Sequence, residues 1–123
     1  MQNHYHKYLG PEDKLQNAVM QYIAAQYPGV LAAHIPNEGK RTPFERFKFK
    51  YLGGKAGIPD VMIFCPSGEY VGLAIELKAG KNKPTKAQIE WLEELSLNGW
   101  AAYCLNSFEG CKLAIDEYFN KEL

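Results

Sequence analysis

Residues 70–78, Tyr-Val-Gly-Leu-Ala-Ile-Glu-Leu-Lys, alternate with a period of two. Extended backbone sends successive side chains to opposite faces, so Val71, Leu73, Ile75 and Leu77 share one face and Gly72, Ala74, Glu76 and Lys78 the other. The first face needs a core to lie against, which points to a sheet covered by helices. On the second, small residues run into two charges at the end of a strongly apolar strand, and charges are rarely set beside a core without a partner or a purpose. Gly72 and Ala74 leave room on that face for something bulky. Residues 58–65 predict a preceding strand and Pro66-Ser67-Gly68-Glu69 a turn, so the two runs form an antiparallel hairpin with a four-residue loop.

Upstream, Pro11, Glu12 and Asp13 read as a helix start, with carboxylates near the positive end of the dipole. Leu15, Val19, Tyr22 and Ile23 then recur at helical spacing until Pro28-Gly29 stops the helix. Residues 30–35 predict a short strand ended by Pro36-Asn37-Glu38-Gly39. The basic and aromatic residues 40–55 are compatible with a loop, a short helix or an extended ribbon, and Gly53, Gly54 and Gly57 mark a backbone that must bend. Residues 85–98 predict a helix with Thr85 as N-cap, Gln88 completing a capping box, a Trp91/Leu92/Leu95 stripe and Gly99 past its end. Residues 100–105 are the last strand, and 108–119 a closing helix packed through Leu113, Ile115, Tyr118 and Phe119. The expected fold class is α/β, a mixed central sheet flanked by helices, with strands 70–78 and 100–105 parallel through a right-handed crossover. The 123 residues are expected to form one domain with its core over about residues 11–119.

Hydrophobic residues at 46% and charged ones at 23% argue against a disordered or coiled-coil chain. Cys65, Cys104 and Cys111 are odd in number, lack a CxxC and lie far from His4, His6 and His34, so neither a disulfide framework nor a zinc site is expected. Their contexts suit buried small hydrophobes, and a reducing, intracellular setting is expected. His4 and His6 are expected in solvent, and His34 in the core or lining a site. No apolar run approaches the roughly 18 residues of a membrane helix, and the first ten residues lack a signal-peptide core.

The 14 bases and 14 acids cancel, but unevenly. Residues 1–37 balance; residues 38–86 hold ten bases against five acids, net +5; residues 87–123 hold two bases against seven acids, net −5. The basic third could meet a polyanion, although both thirds could equally be solvated faces.

Asp60 follows Pro59 at a strand start, and Glu76 and Lys78 return on the neighbouring strand. Two carboxylates so placed repel each other unless a cation sits between them. A hard divalent ion such as Mg²⁺ takes oxygen ligands, typically one or two carboxylates completed by water, backbone oxygen and substrate phosphate, and the Leu77 carbonyl is available. Lys78 then lies where a water attacking a phosphate could be oriented, a water whose pKa the metal lowers. The inert alternative is a salt bridge between Glu76 and Lys78, with Asp60 capping a turn.

Asp60 followed by Glu76-Leu77-Lys78 resembles the PD-(D/E)XK nuclease superfamily. Glu12 with Gln16, Pro36-Asn37, Gly57-Ile58-Pro59-Asp60, Thr85-Lys86-Ala87-Gln88, Trp91 with Leu92, and Gly99 narrow the resemblance to the VRR-NUC family, the virus-type replication-repair nucleases. The resemblance implies a restriction-endonuclease-like core and a Mg²⁺-dependent DNA endonuclease in which Mn²⁺ substitutes. Asp60 and Glu76 would be metal ligands, the Leu77 carbonyl a third, and Lys78 the residue that positions the attacking water. Glu12 would be an additional acidic group at the metal's edge; alternatively Asp13 reaches, or Glu12 only favours the helix dipole. Gln88 would support Lys78, or only close the capping box, or both, and Gln16 would hydrogen-bond near the site. The helix beginning at Thr85 and Lys86 would point its amino end at a phosphate.

Lys40, Arg41, Arg46, Lys48, Lys50 and Lys55, with Lys81, Lys83 and Lys86 beyond the motif, would grip DNA phosphates without reading bases. Phe44, Phe47, Phe49 and Tyr51 could stack on exposed bases, or form core or a subunit interface. Compact stand-alone members resemble phage or prophage proteins. The resemblance therefore implies a cytoplasmic protein of a bacterial host cell, a homodimer that cuts branched DNA such as four-way (Holliday) junctions or flaps. A nucleic-acid-binding module without catalysis and a sequence-specific restriction-like nuclease are the alternatives.

Overall fold

Helix α1 (Pro11–Gln26) starts where Pro11 predicts, and the Asp13 carboxylate accepts the Gly10 N–H at 2.9 Å. The computed structural model describes residues 3–36 and 41–120, so the predicted turn at residues 37–39 and Lys40 lie outside the described residues. A single 3₁₀ turn, His4–Tyr8, precedes α1 and leaves His4 and His6 in solvent. Strands β1 (Ala32–His34), β2 (Val61–Ile63), β3 (Gly72–Leu77) and β4 (Trp100–Leu105) form one sheet in the order β1-β2-β3-β4. The β1–β2 and β2–β3 pairs are antiparallel and β3–β4 is parallel, which is the mixed sheet the sequence predicts. Strand β2 is shorter than the run 58–65 because Pro59 has no amide to give a ladder.

The alternation in β3 sorts the two sides of the sheet. Leu73, Ile75 and Leu77 are fully buried with Val61, Ile63 and Ala101, under Val19 and Ile23 of α1 and Cys111, Ile115 and Tyr118 of α4 (Phe108–Tyr118). Val71 stands just outside the strand and is exposed. Helix α3 (Lys86–Leu97) packs on β3 and β4 outside this cluster, with Thr85 and Gln88 closing the expected capping box. Among the described residues no helix is long and apolar enough to cross a membrane.

Several expectations are corrected. The space over Gly72 is filled from within: a Cβ there would come within 2.4 Å of the Trp100 ring, which also meets Phe64 edge-on at 5.7 Å. Leu113 of α4 is exposed, and Asp116 is buried on that helix beside Cys111, Ile115 and Tyr118. Of the cysteines only Cys111 is buried, its thiol pushed up to about 11 by that burial, whereas Cys65 is half-buried and Cys104 exposed. The basic aromatic segment contains a helix, α2 (Pro43–Tyr51), with no buried residue. Thr42 Oγ1 accepts the Glu45 N–H at 3.1 Å and Glu45 Oε1 the Thr42 N–H at 3.0 Å, a capping box that Pro43 extends by fixing φ in the first turn.

Gly57 joins this segment to the site. Its φ is +94°, and a Cβ would lie 2.7 Å from the backbone of Ala87 in the first turn of α3. Left-handed backbone alone costs an L-residue about 1–2 kcal/mol. Gly57→Ala is therefore expected to lower stability by at least that much, seen as a fall of several degrees in the thermal unfolding midpoint; an unchanged midpoint would show that this approach is not constraining.

Candidate active site

Three elements deliver carboxylates to one point. The first turn of α1 brings Glu12, the entry to β2 brings Asp60, and the end of β3 brings Glu76; one carboxylate oxygen from each lies within 4.8 Å of the other two. Glu76 is fully buried and Asp60 is 5% exposed. Lys78, two residues on and therefore on the same face as Glu76, sets its Nζ 3.4 Å from Glu76 Oε2. One ammonium beside three carboxylates gives these four side chains a formal charge of −2. The salt bridge expected as the inert alternative is thus present but does not balance the cluster.

Asp60 is held on several sides. Its Oδ2 accepts the Leu77 N–H at 2.8 Å, its carbonyl accepts the Ile35 N–H at 2.9 Å, and His34 Nδ1 lies 2.9 Å from the same carbonyl. Continuing the β2–β3 register by two residues sets Pro59 opposite Leu77. Proline has no amide hydrogen to give the Leu77 carbonyl, so the ladder leaves that oxygen to other donors or to a cation.

An open cleft of about 380 Å³ lies over the cluster, lined by Glu12, Gln16, His34, Ile35, Asp60 and Leu77 among others. Gln16 buries its Nε2 here without a hydrogen-bond acceptor among the described residues. Glu12 joins the cluster, while Asp13, which also lines the cleft, gives one carboxylate oxygen to the Gly10 amide. His34 lines the cleft rather than filling the core. Gln88, 6% exposed, accepts the Thr85 N–H through Oε1 at 2.8 Å. Since Thr85 Oγ1 also accepts the Gln88 N–H, the helix end expected to face a phosphate already has two amides served by its own cap.

Cys104, expected only as a buried small hydrophobe, has a place at the site that the sequence reading missed. The parallel register sets it opposite Glu76, and partial desolvation together with the Glu76 charge pushes its thiol up. That register was the available signal. Of the basic residues, Arg41 lays its guanidinium 4.0 Å over Phe49, Arg46 donates to the Arg41 carbonyl at 2.7 Å, and Lys48 and Lys50 stand exposed on the last turn of α2. Lys55, Lys81, Lys83 and Lys86 are exposed, Lys86 with Glu90 3.9 Å away.

Residues 5–109 match the family model of the VRR-NUC domain. The chain belongs to the VRR-NUC family. A solved VRR-NUC domain protein is 31% identical, covering 91% of this chain and 90% of its own, with a TM-score of 0.77. A second solved VRR-NUC domain, 21% identical over 87% of this chain and 96% of its own, shares the fold with a TM-score of 0.58. No curated protein matches the sequence significantly. VRR-NUC membership makes the chain a nuclease-family protein with a restriction-endonuclease-like fold and DNA as its substrate, and places its acidic triad in a family that uses divalent metals.

Proposed function

We propose that this VRR-NUC chain is a Mg²⁺-dependent DNA endonuclease, Mn²⁺ substituting, that hydrolyses phosphodiester bonds in branched DNA such as four-way junctions or flaps. The observation that carries the reading is the convergence of Glu12, Asp60 and Glu76 with Lys78 beside them. Every donor of the triad is a hard carboxylate oxygen, a set that fits Mg²⁺ or Mn²⁺ and not a softer ion. Asp60, Glu76 and the Leu77 carbonyl would hold the ion, with Glu12 at its edge. When bound, the ion polarises a phosphate oxygen and lowers the pKa of the attacking water.

Lys78 acts on that water. Its ammonium is a donor and never an acceptor, it is 8% exposed and Glu76 holds it at the site, so it would orient the attacking water by donating to one lone pair and leaving the other for phosphorus. Gln88 takes a positioning role towards Lys78, on the family resemblance. The exposed lysines and arginines supply phosphate contacts, so affinity falls steeply with salt, with a log–log slope of about −0.9 for each duplex phosphate neutralised. A homodimer would present two such sites about a two-fold axis and cut both strands of a junction.

Labelled four-way junction, flap and linear duplex should be incubated with the protein in Mg²⁺, Mn²⁺ and EDTA, with the mass measured by sedimentation. Cleavage of branched DNA in both metals, its absence in EDTA, and twice the chain mass are expected. Binding without cleavage in either metal would favour the binding module, and cleavage confined to one short duplex sequence the restriction-like enzyme.

A further inference from the structure

Helix α2 has an apolar face that the fold does not use. Phe44, Phe47 and Tyr51 follow one another at i, i+3 and i+7, and are 68%, 63% and 78% exposed. Phe47 and Tyr51 already stack, with centroids 5.8 Å apart and planes inclined by 26°. The core cluster contains no residue of this helix. Phe49 turns the other way, against Gly54 and under Arg41, which fixes the helix to its own return segment. Between them runs an open cleft of about 330 Å³ lined by Arg41, Arg46, Phe47, Phe49, Lys50 and Ala56.

Charge selects the occupant. Among the described residues 41–57, Arg41, Arg46, Lys48, Lys50 and Lys55 stand on or beside α2 against one acid, Glu45, whose carboxylate is engaged by the Thr42 amide. Packing this face on the same face of a second copy would oppose like charges, whereas a nucleic acid offers phosphates to the cations and base planes to the rings. In a duplex those planes are hidden in the stack. The rings span seven residues, about 10 Å along a helix, close to three base steps of about 3.4 Å. The segment leaves β1 beside Ile35 and Pro36, which line the cleft over the acidic triad, and returns at Asp60, so the face is tethered to the active-site end of the sheet.

We infer that α2 is a binding site for unpaired DNA, stacking exposed bases on Phe44, Phe47 and Tyr51 while Arg41, Arg46 and Lys50 hold the adjoining phosphates. This rests on DNA being the substrate, and it names the feature that would make a branch, with its unpaired bases, a better ligand than duplex. The test needs no turnover. In EDTA and at fixed salt, fluorescence anisotropy should compare a labelled single strand with the same strand annealed to its complement, for wild type, Phe44→Ala, Phe47→Ala and Tyr51→Ala.

Each ring removed is expected to weaken single-strand binding about tenfold and to leave duplex binding within about twofold, while Phe47→Trp retains affinity. Because these side chains are exposed, the variants should keep the wild-type melting curve. Equal losses on both ligands, no loss, or a change from dimer to monomer mass on ring removal would overturn the assignment, the last making α2 a subunit contact. If the protein cuts no DNA in Mg²⁺ or Mn²⁺ yet single-strand affinity follows the rings, the nuclease reading fails and the α2 assignment stands. If cleavage occurs but the ring variants bind single strands as wild type does, the reverse holds.

Discussion

Glu76→Gln is expected to reduce metal-dependent strand cleavage by at least about 10³-fold while leaving the protein folded. The substitution preserves shape at a fully buried position and removes one of the three carboxylates that converge within 4.8 Å. Metal-assisted stabilisation of a phosphoryl transition state is worth several kcal/mol, and each 1.36 kcal/mol is a factor of ten in rate. A second readout separates loss of metal from loss of fold. An ion that binds only the native state raises its stability by about 2.7 kcal/mol at a hundredfold excess over Kd, so Mn²⁺ should raise the wild-type unfolding midpoint by several degrees. In Glu76→Gln that rise should shrink or vanish while unfolding in EDTA stays cooperative. Lys78→Ala should behave differently, losing about 10²–10⁴ in rate with DNA binding and the Mn²⁺ shift retained. Cleavage at wild-type rate by either variant would remove that residue from the chemistry.

The largest expected loss of stability lies away from the site. Asp116, 1% exposed on α4, accepts hydrogen bonds from Tyr22 at 2.6 Å, from Tyr27 at 2.5 Å and from Lys112 at 3.1 Å, and so ties the C-terminal end of α1 to α4. Removing one partner of a buried ionic network costs about 3–5 kcal/mol, because the remaining polar groups lose their acceptor. Asp116→Ala should therefore forfeit a third or more of a typical domain's stability. Burial pushes the Asp116 carboxyl up, but the hydrogen bonds from Tyr22, Tyr27 and Lys112 outweigh it and hold the carboxyl below its ordinary value of 3.8. Its contribution is thus present above about pH 4 and lost as pH falls through the lower native value. Tyr27 has the opposite sign: burial first, then its bond to Asp116, raise its hydroxyl above the ordinary 10.0, so its contribution is full below pH 10 and declines above it. Denaturant titrations from pH 2 to 11 should show wild-type stability falling at both limits. Asp116→Ala should lack most of the acid-side fall; an unchanged acid limb would show that other carboxylates govern it.

This network is also the part of the fold least visible in the sequence. The period of β3, the Pro11 helix start and the Thr85–Gln88 capping box each announce themselves through local spacing, and the structure places those elements within a few residues of expectation. Asp116 lies 94 residues from Tyr22, and no local pattern marks an acid on a helix as buried rather than solvated. Helical spacing likewise points to Leu113 as core, since it gives a stripe but not which edge of it the partner covers. At the site, Asp60, Glu76 and Lys78 were legible because strand pairing converts a sequence gap into proximity. The engagement of Asp13 by Gly10 depends on a cap that only coordinates reveal. Helix α2 is a different case. Thr42-Pro43-Phe44-Glu45 is a capping box, and its signal was masked by alternating aromatics that also fit an extended ribbon.

The excursion from β1 to β2 has a consequence for how such a protein can change. Residues 41–57 contribute no buried side chain, yet they hang between two strands whose adjoining ends, at Ile35 and Asp60, line the cleft over the acidic triad. Loop-closure entropy grows only slowly with length, so the excursion can be lengthened, shortened or exchanged at small cost to the sheet, provided Gly57 keeps its turn beside α3. On the reading proposed above, cutting chemistry and choice of DNA would be separable parts of one chain: the first locked into the core, the second carried on an exchangeable arm.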